Sequence, residues 1–495
     1  MASGVEIFGD DGAANGGREL RSDVLCVDVE GALLKVHPQH RAFFAAIKEH
    51  PVLLFWLALW LLGGRRRFAR GLAEQLSRPL DRSLDPRRSE VETLMAEAKS
   101  AGKRVELISA IGPDFVRHLR LPPGSFDEVV TADSPTGQQR TSLLNDRHPQ
   151  GFSYVGHAAG DLPVWRLATE GFAVDVSPSL RRRAASEGIN LVELSTPSSM
   201  LHALLESMRL HQWLKNVLIL VPLGLMAPRA TLTDIMTFVS GFVLFGLLTS
   251  GTYLLNDILD VEADRSHPRK LQRPIATGDL PLPMAGAAAL ALIAIALSGA
   301  ALLSRPFLLT SLGYLLLTLA YSFRFKSIPI IDVLLIATLF TLRILAGMLL
   351  VGQPPSEWLL MFSIFFFLSL ALIKRYVELG TLASEDAKAL RGRGYVRDDQ
   401  NFLMAFGVSS GVASLVIFAM FIASMTLDPA SHYVAPGLLW VALAALSYWL
   451  MRMWLLTMRG LMPDDPVVHA ARERATLILA AVMVACVLAA QVLPL

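Results

Sequence analysis

Apolar stretches at about 212–227, 235–256, 284–303, 307–322, 330–351, 357–374, 402–425, 437–456 and 475–493 occupy this chain from residue 212 onward. A helix needs about 20 apolar residues to cross a hydrocarbon core of about 30 Å. Backbone in lipid must also satisfy its own hydrogen bonds, which leaves helices or closed barrels. The expectation is an α-helical polytopic membrane protein with about nine transmembrane helices, a count good to one. Composition agrees: 53% of the 495 residues are hydrophobic and 18% charged, too apolar for an ordinary soluble enzyme. Much of the charge lies before residue 200, so a soluble domain precedes the membrane part.

Bases collect in alternate loops. They are Arg265, Arg269, Lys270 and Arg273 after the second stretch, and Arg324 and Lys326 after the fourth. Lys388, Arg391, Arg393 and Arg397 follow the sixth, and Arg459, Arg472 and Arg474 the eighth. The loops Gln353–Glu357 and Asp428–Pro436 are nearly free of them. By the positive-inside rule the basic loops and the N-terminal domain face the cytoplasm, and the C-terminus lies outside. Residues 1–20 lack the apolar core of a signal peptide and are expected to form a disordered leader.

The second stretch runs into acids: Asn256-Asp257-Ile258-Leu259-Asp260-Val261-Glu262-Ala263-Asp264. On a helix at about 100° per residue, Asp257, Asp260 and Asp264 fall within about 60° of one another, and Glu262 points elsewhere. Charge at the mouth of a bilayer-length segment is costly and marks a functional site. With Asn256, these oxygens suit Mg²⁺, which takes one or two carboxylates plus substrate phosphates. Lys270, Arg273 and Lys326 are placed to grip phosphate. Arg343 lies deep in a span and needs a phosphate or a carboxylate, Asp332 being about three turns away.

The N-terminal part reads as strand alternating with helix: Val24–Gly31, Arg104–Ile108, Ser153–Gly156, Phe172–Val176 and Asn190–Leu194 are the strands. That pattern predicts a parallel sheet with a site at the strands' carboxyl ends. Cys26 and Cys486 fall in different parts and read as small core residues. An apolar insertion at 51–67 ends in Arg65-Arg66-Arg67 and is too short to span. It reads as an interfacial anchor, with a buried cap helix as the other reading.

The strand ending in Asp28-Val29-Glu30 resembles the opening motif of the haloacid dehalogenase superfamily, with Asp28 at the nucleophile position. Glu30 stands where that family has a second Asp. Ser109 matches the second motif, and the Tyr154–Asp161 run resembles the metal-binding fourth, with His157 where an Asp is expected and Asp161 in place. No lysine marks the third motif; Gln138, Gln139 and Arg140 stand in its region. The resemblance implies an α/β haloacid dehalogenase-like (Rossmannoid) domain over 21–195, and the departures from its motifs a degenerate phosphatase site, silent or weakened.

Asn-Asp-x-x-Asp-x-x-x-Asp at a helix end among some nine spans resembles the UbiA superfamily of intramembrane prenyltransferases, over 196–495. That family has a second acid-rich motif; here Lys374-Arg375-Tyr376-Val377-Glu378 carries bases instead. Bases suit a reaction in which both substrates are phosphorylated. The branch with this look is the decaprenyl-phosphate phosphoribosyltransferases, also supported by His211–Asn216, Tyr321–Lys326, Thr341-Leu342-Arg343 and Asp464-Asp465-Pro466. The resemblance implies Mg²⁺-dependent transfer of 5-phosphoribosyl from phosphoribosyl pyrophosphate (PRPP) to a polyprenyl phosphate, in the inner membrane of a bacterium, for the cell envelope. Lys215, Lys374 and Arg375 would hold the lipid phosphate, oriented by Tyr376 and Glu378. The alternative in the same fold moves a prenyl group from its diphosphate to an aromatic or other acceptor. Partners are the lipid, PRPP and the membrane. Homo-oligomers are compatible with the chain, and no nucleic acid is expected.

Overall fold

A computed structural model describes residues 20–49, 82–132, 137–196, 199–380, 394–427, 433–463, 466–470 and 472–493. The apolar insertion at 51–67, Asp464 and Asp465 lie outside these residues. The chain folds as two compact units, Met1–Leu204 with Asp257–Ala285 and Leu205–Asn256 with Gly286–Leu495.

The first unit is built on six parallel strands: β1 (Val24–Asp28), β2 (Arg104–Ser109), β3 (Glu128–Thr131), β4 (Ser153–Gly156), β5 (Glu170–Val174) and β6 (Leu191–Ser195). Their order is β3-β2-β1-β4-β5-β6, a doubly wound arrangement. Every residue of β1 is buried, as a strand covered on both faces requires. Leu25 and Val27 enter one core with Val91, Leu94 and Val155, while Val24 and Cys26 enter the other with Ile108, Leu144 and Trp165. Strand order reverses between β1 and β4, the position where such sheets bind ligands.

Arg88 fixes the turn after β1. Its Nη1 donates to the carbonyls of Gly31, Ala32 and Leu34 at 2.8–2.9 Å, and its Nε to Asp175 at 2.8 Å. Helix α1 (Pro38–Glu49) follows the turn, and α2 (Ser89–Ser100) leads into β2. The stretch 257–285 belongs to the same unit. It holds the short helix Val261–Arg265, a tight turn at Lys270–Gln272 and a second short helix, Pro274–Thr277, closed by Gly278 at φ +87°.

Eight helices among the described residues are long and apolar enough to cross a membrane. They are α3 (Leu232–Leu259), α4 (Leu282–Leu303), α5 (Arg305–Phe323), α6 (Ile331–Leu350), α7 (Glu357–Gly380), α8 (Arg397–Leu427), α9 (Pro436–Met458) and α10 (Arg474–Val492). The protein is a multi-pass membrane protein. The ninth expected span, 212–227, is instead an 11-residue 3₁₀ stretch, Leu210–Leu220, followed by a five-residue α-turn, Val221–Leu225. At about 2.0 Å per residue a 3₁₀ helix advances faster than an α-helix, so the pair covers roughly 30 Å. It packs closely on α6: a Cβ at Gly347 would lie 2.2 Å from the carbonyl oxygen of Ile219. Gly407 likewise admits the Trp454 ring between α8 and α9, the small-residue contact usual where lipid supplies no hydrophobic drive. Ser304 alone joins α4 to α5; its hydroxyl caps α5 and Pro306 opens that helix.

Candidate functional site

Three polar clusters are held by this scaffold, two in the first unit and one in the second.

The first lies at the reversal between β1 and β4. Asp28, Glu30, Ser109 and Asp161 are all buried. Ser109 donates to Glu30 Oε1 at 2.5 Å, joined by the Ile111 amide at 3.2 Å. Arg140 Nη1 donates to Asp161 Oδ1 at 3.0 Å and to the Tyr154 hydroxyl at 2.8 Å, and lies 3.3 Å from Asp28 Oδ1. His157 Nδ1 lies 3.4 Å from Asp28 Oδ2 and 3.7 Å from Asp161 Oδ2. The structure thus brings together all five residues expected here and adds Arg140, one of three candidates the sequence offered. Gly31 is required beneath it, since a Cβ there would lie 1.7 Å from the His157 ring. Burial pushes the Glu30 carboxyl up. Burial alone would lower the His157 imidazole, but the carboxylates of Asp28 and Asp161 outweigh it and hold it above its ordinary value. Asp28, His157 and Asp161 are close enough to share a cation. Arg140 and His157 already neutralise those oxygens, which is a poor fit for Mg²⁺.

The second is the acid stretch. Helix α3 ends at Leu259, and Asp260 (φ −98°, ψ 8°) separates it from Val261–Arg265, so the acids do not form one helical stripe. Asp257 and Asp264 nonetheless converge. Arg273 Nη1 donates to Asp257 Oδ1 at 3.1 Å and to Asp264 Oδ2 at 2.5 Å. Burial raises the Asp264 carboxyl, opposed by Arg273 and reinforced by Asp257. Asp260 is turned to Lys48, 3.7 Å away, and Glu262 accepts from Arg41 at 2.8 Å. At Asp257 and Asp264 one cationic side chain meets two carboxylates, where Asp28 and Asp161 face two, so a net negative charge and oxygen donors remain of the kind Mg²⁺ takes. Lys270 is exposed, and Asn256 half-buried at the helix end.

The third lies in the membrane unit. Arg343 is buried and, among the described residues, bonded to neutral groups: Asn216 Oδ1 at 3.0 Å, the Leu339 carbonyl at 2.6 Å and the Tyr314 hydroxyl at 2.8 Å. The rings of Tyr314, Phe340 and Phe245 surround its guanidinium at 4.9–5.9 Å. Asp332, which the sequence offered as its partner, is taken by Arg375 Nε at 2.5 Å and by the Tyr395 hydroxyl at 2.6 Å. Arg375 also donates to Glu378 and, at 3.3 Å, to Tyr321. Arg375 is therefore a buried ion-pair centre, with Glu378 its partner. Lys215, Lys326, Lys374 and Tyr376 are half-buried, Tyr376 edge-on to Trp454. Sequence reasoning missed Arg41, Tyr314 and Tyr395. Their partners are distant in sequence, and no local pattern marks them.

Eight membrane-length helices with charge buried among them define a multi-pass membrane protein. The chain belongs to the UbiA prenyltransferase family, which matches residues 217–464, and is a transferase of that superfamily. It is 36% identical over 463 residues to the uncharacterized protein y4nM of Sinorhizobium fredii, covering 91% of this chain and 87% of that one. The nodulation protein NoeC of Azorhizobium caulinodans is 32% identical over 278 residues, 55% of this chain and 88% of its own. Decaprenyl-phosphate phosphoribosyltransferase of Mycobacterium tuberculosis is 36% identical over 199 residues, 39% of this chain and 66% of its own. Among solved structures, a UbiA homologue from Archaeoglobus fulgidus bound to GPP and Mg²⁺ aligns with 58% of this chain and 99% of its own, at 17% identity and a TM-score of 0.45.

Proposed function

We propose that the protein transfers a 5-phosphoribosyl group from PRPP to a polyprenyl phosphate at the cytoplasmic face of a bacterial inner membrane. The observation that carries this reading is the meeting of the buried Asp257 and Asp264 at one guanidinium nitrogen, which brings two carboxylates to a single cation. The similarity to decaprenyl-phosphate phosphoribosyltransferase supports the choice of donor and acceptor.

Asp257 and Asp264, with Asn256, would hold Mg²⁺, which would neutralise the diphosphate leaving from C1 of the donor. Arg273, bound at the same carboxylates, carries further positive charge for the diphosphate. Lys270 and Lys326 serve the donor's other oxygens. Arg343 offers an anion a fork-shaped cation that no carboxylate among the described residues neutralises. Lys215 and Lys374 bind the lipid phosphate. A phosphate oxygen of the lipid forms the new bond to C1 as the C1–O bond to diphosphate breaks, the electron pair leaving with diphosphate. The lipid phosphate is already anionic, so no general base is needed, and catalysis is positioning and charge stabilisation. The Asp28 cluster is neutralised by its own Arg140 and His157, which supports a phosphatase-like domain without hydrolytic activity.

Membranes carrying the protein test this with labelled PRPP and decaprenyl phosphate, against labelled geranyl diphosphate and 4-hydroxybenzoate. Label entering the lipid from PRPP, lost on removing divalent metal, supports the reading. Prenylation of the aromatic acid instead overturns it.

A further inference from the structure

The stretch that carries the acids is tied to the soluble part of its own unit by a buried charge cluster. Arg41 of α1 has a side chain only 1% exposed. Its Nη2 donates to Glu262 Oε1 at 2.8 Å, and its Nη1 to Asp85. Asp85, 2% exposed, also accepts from Arg265 Nη1 at 3.2 Å, and Arg265 Nε donates to the Ala276 carbonyl at 3.0 Å. Arg265 Nη2 is buried with no hydrogen-bond partner among the described residues. Two outer pairs flank the cluster, Lys48–Asp260 at 3.7 Å and Lys35–Asp279 at 3.3 Å. Gly278 packs so closely that a Cβ would lie 2.9 Å from Val36 Cγ2 and 3.0 Å from Lys35 Cβ.

These contacts grip the helix that bears Asp264. Val261–Arg265 has five residues, far too few to hold a helix unaided. Glu262 and Arg265, three apart, present one face of it to Arg41 and Asp85. Asp264 adjoins Arg265 in sequence, and its carboxylate reaches the nitrogen shared with Asp257. The direction of that carboxylate therefore depends on residues some 180 to 220 positions earlier in the chain.

We propose that Arg41 and Asp85 are positioning residues for the Asp257–Asp264 pair, and that the soluble part serves the transferase as a brace for its acid stretch. The inference rests on the cation-binding reading of those carboxylates. Partners that orient metal ligands without touching the metal change affinity by about 10–100-fold when removed. Glu262, which points away from the other acids in sequence, becomes the brace's contact point.

The test is Mn²⁺ binding to the purified full-length protein in detergent, read by electron paramagnetic resonance, with KM for PRPP and for lipid phosphate measured alongside. Asp85→Asn and Glu262→Gln should each weaken Mn²⁺ binding about tenfold and raise KM for PRPP, leaving KM for the lipid unchanged. Arg41→Lys, which keeps the charge, should restore part of what Arg41→Met loses. Should Asp85→Asn fail to fold, Glu262→Gln reads the same link at a half-exposed position. Mn²⁺ affinity unchanged in Glu262→Gln and Arg41→Met, or both KM values rising equally, overturns the brace. Wild-type protein that binds no Mn²⁺ overturns the cation-binding reading instead, and Mn²⁺ binding without PRPP turnover overturns only the choice of donor.

Discussion

Asp257 and Asp264 share a single guanidinium nitrogen, that of Arg273, although a break at Asp260 separates the helices that carry them. Arg273 offsets the repulsion between these two buried acids. Asp257→Asn and Asp264→Asn are each expected to lower transfer by roughly 100-fold or more, the usual effect of removing a principal electrostatic group. The amides keep the shape, so expression and melting temperature should stay near wild type. Loss of the folded protein in both variants would make the pair structural.

Lys374 and Arg375 adjoin in sequence and should behave differently. Arg375 is buried against Asp332 and Glu378. Asp332→Ala removes one partner of a buried pair, a change that costs about 3–5 kcal/mol in such sites; with Glu378 still present the lower end is expected. Lys374→Ala should instead raise KM for the lipid phosphate with little change in melting temperature. Thermal unfolding in detergent alongside steady-state kinetics separates the two, and equal destabilisation at both positions would contradict the assignment.

Arg343→Lys keeps the charge and loses the fork that reaches Asn216, Leu339 and Tyr314 together. KM for PRPP should rise about tenfold, equivalent to about 1.4 kcal/mol. If only the melting temperature moves, the arginine is scaffolding for the ring cage.

The His157 imidazole sits above its ordinary value in the folded chain. Protonation is thus favoured by folding, and the stabilisation is fully present below the unfolded value of about 6.5. It is lost as pH rises through the raised folded value. The melting temperature of the wild type relative to His157→Asn should therefore be greatest in mild acid and shrink toward alkaline pH. A difference independent of pH would mean the ring stays neutral throughout.

The membrane helices were legible because length and apolarity are strong signals: the expected 235–256 became Leu232–Leu259, and 475–493 became Arg474–Val492. The segment at 212–227 was apolar enough to be read, but its 3₁₀ winding and its close approach to Gly347, 128 positions from Ile219, have no local pattern to announce them. Strand β3 was missed because Glu128–Thr131 is four residues long and lies at the sheet's edge, where alternation is weak. Continuing one helical period through Asp260 grouped Asp257, Asp260 and Asp264, whereas Asp257 and Asp264 converge through a turn and Arg273 and Asp260 faces Lys48. Arg41 could not be found at all, because Glu262 lies 221 positions away.

The unit that includes β1 to β6 is completed by Asp257–Ala285. The ribosome therefore makes its larger piece first, then threads Leu205–Asn256 before delivering the smaller one. At about 5–20 residues per second that interval lasts several seconds. During it Arg41 and Asp85 exist without Glu262 or Arg265, as a pair of charges whose burial is incomplete. The charge cluster under the acid stretch can thus close only after the residues of a membrane-length helix have been made, so the unit that begins the chain is among the last to be finished.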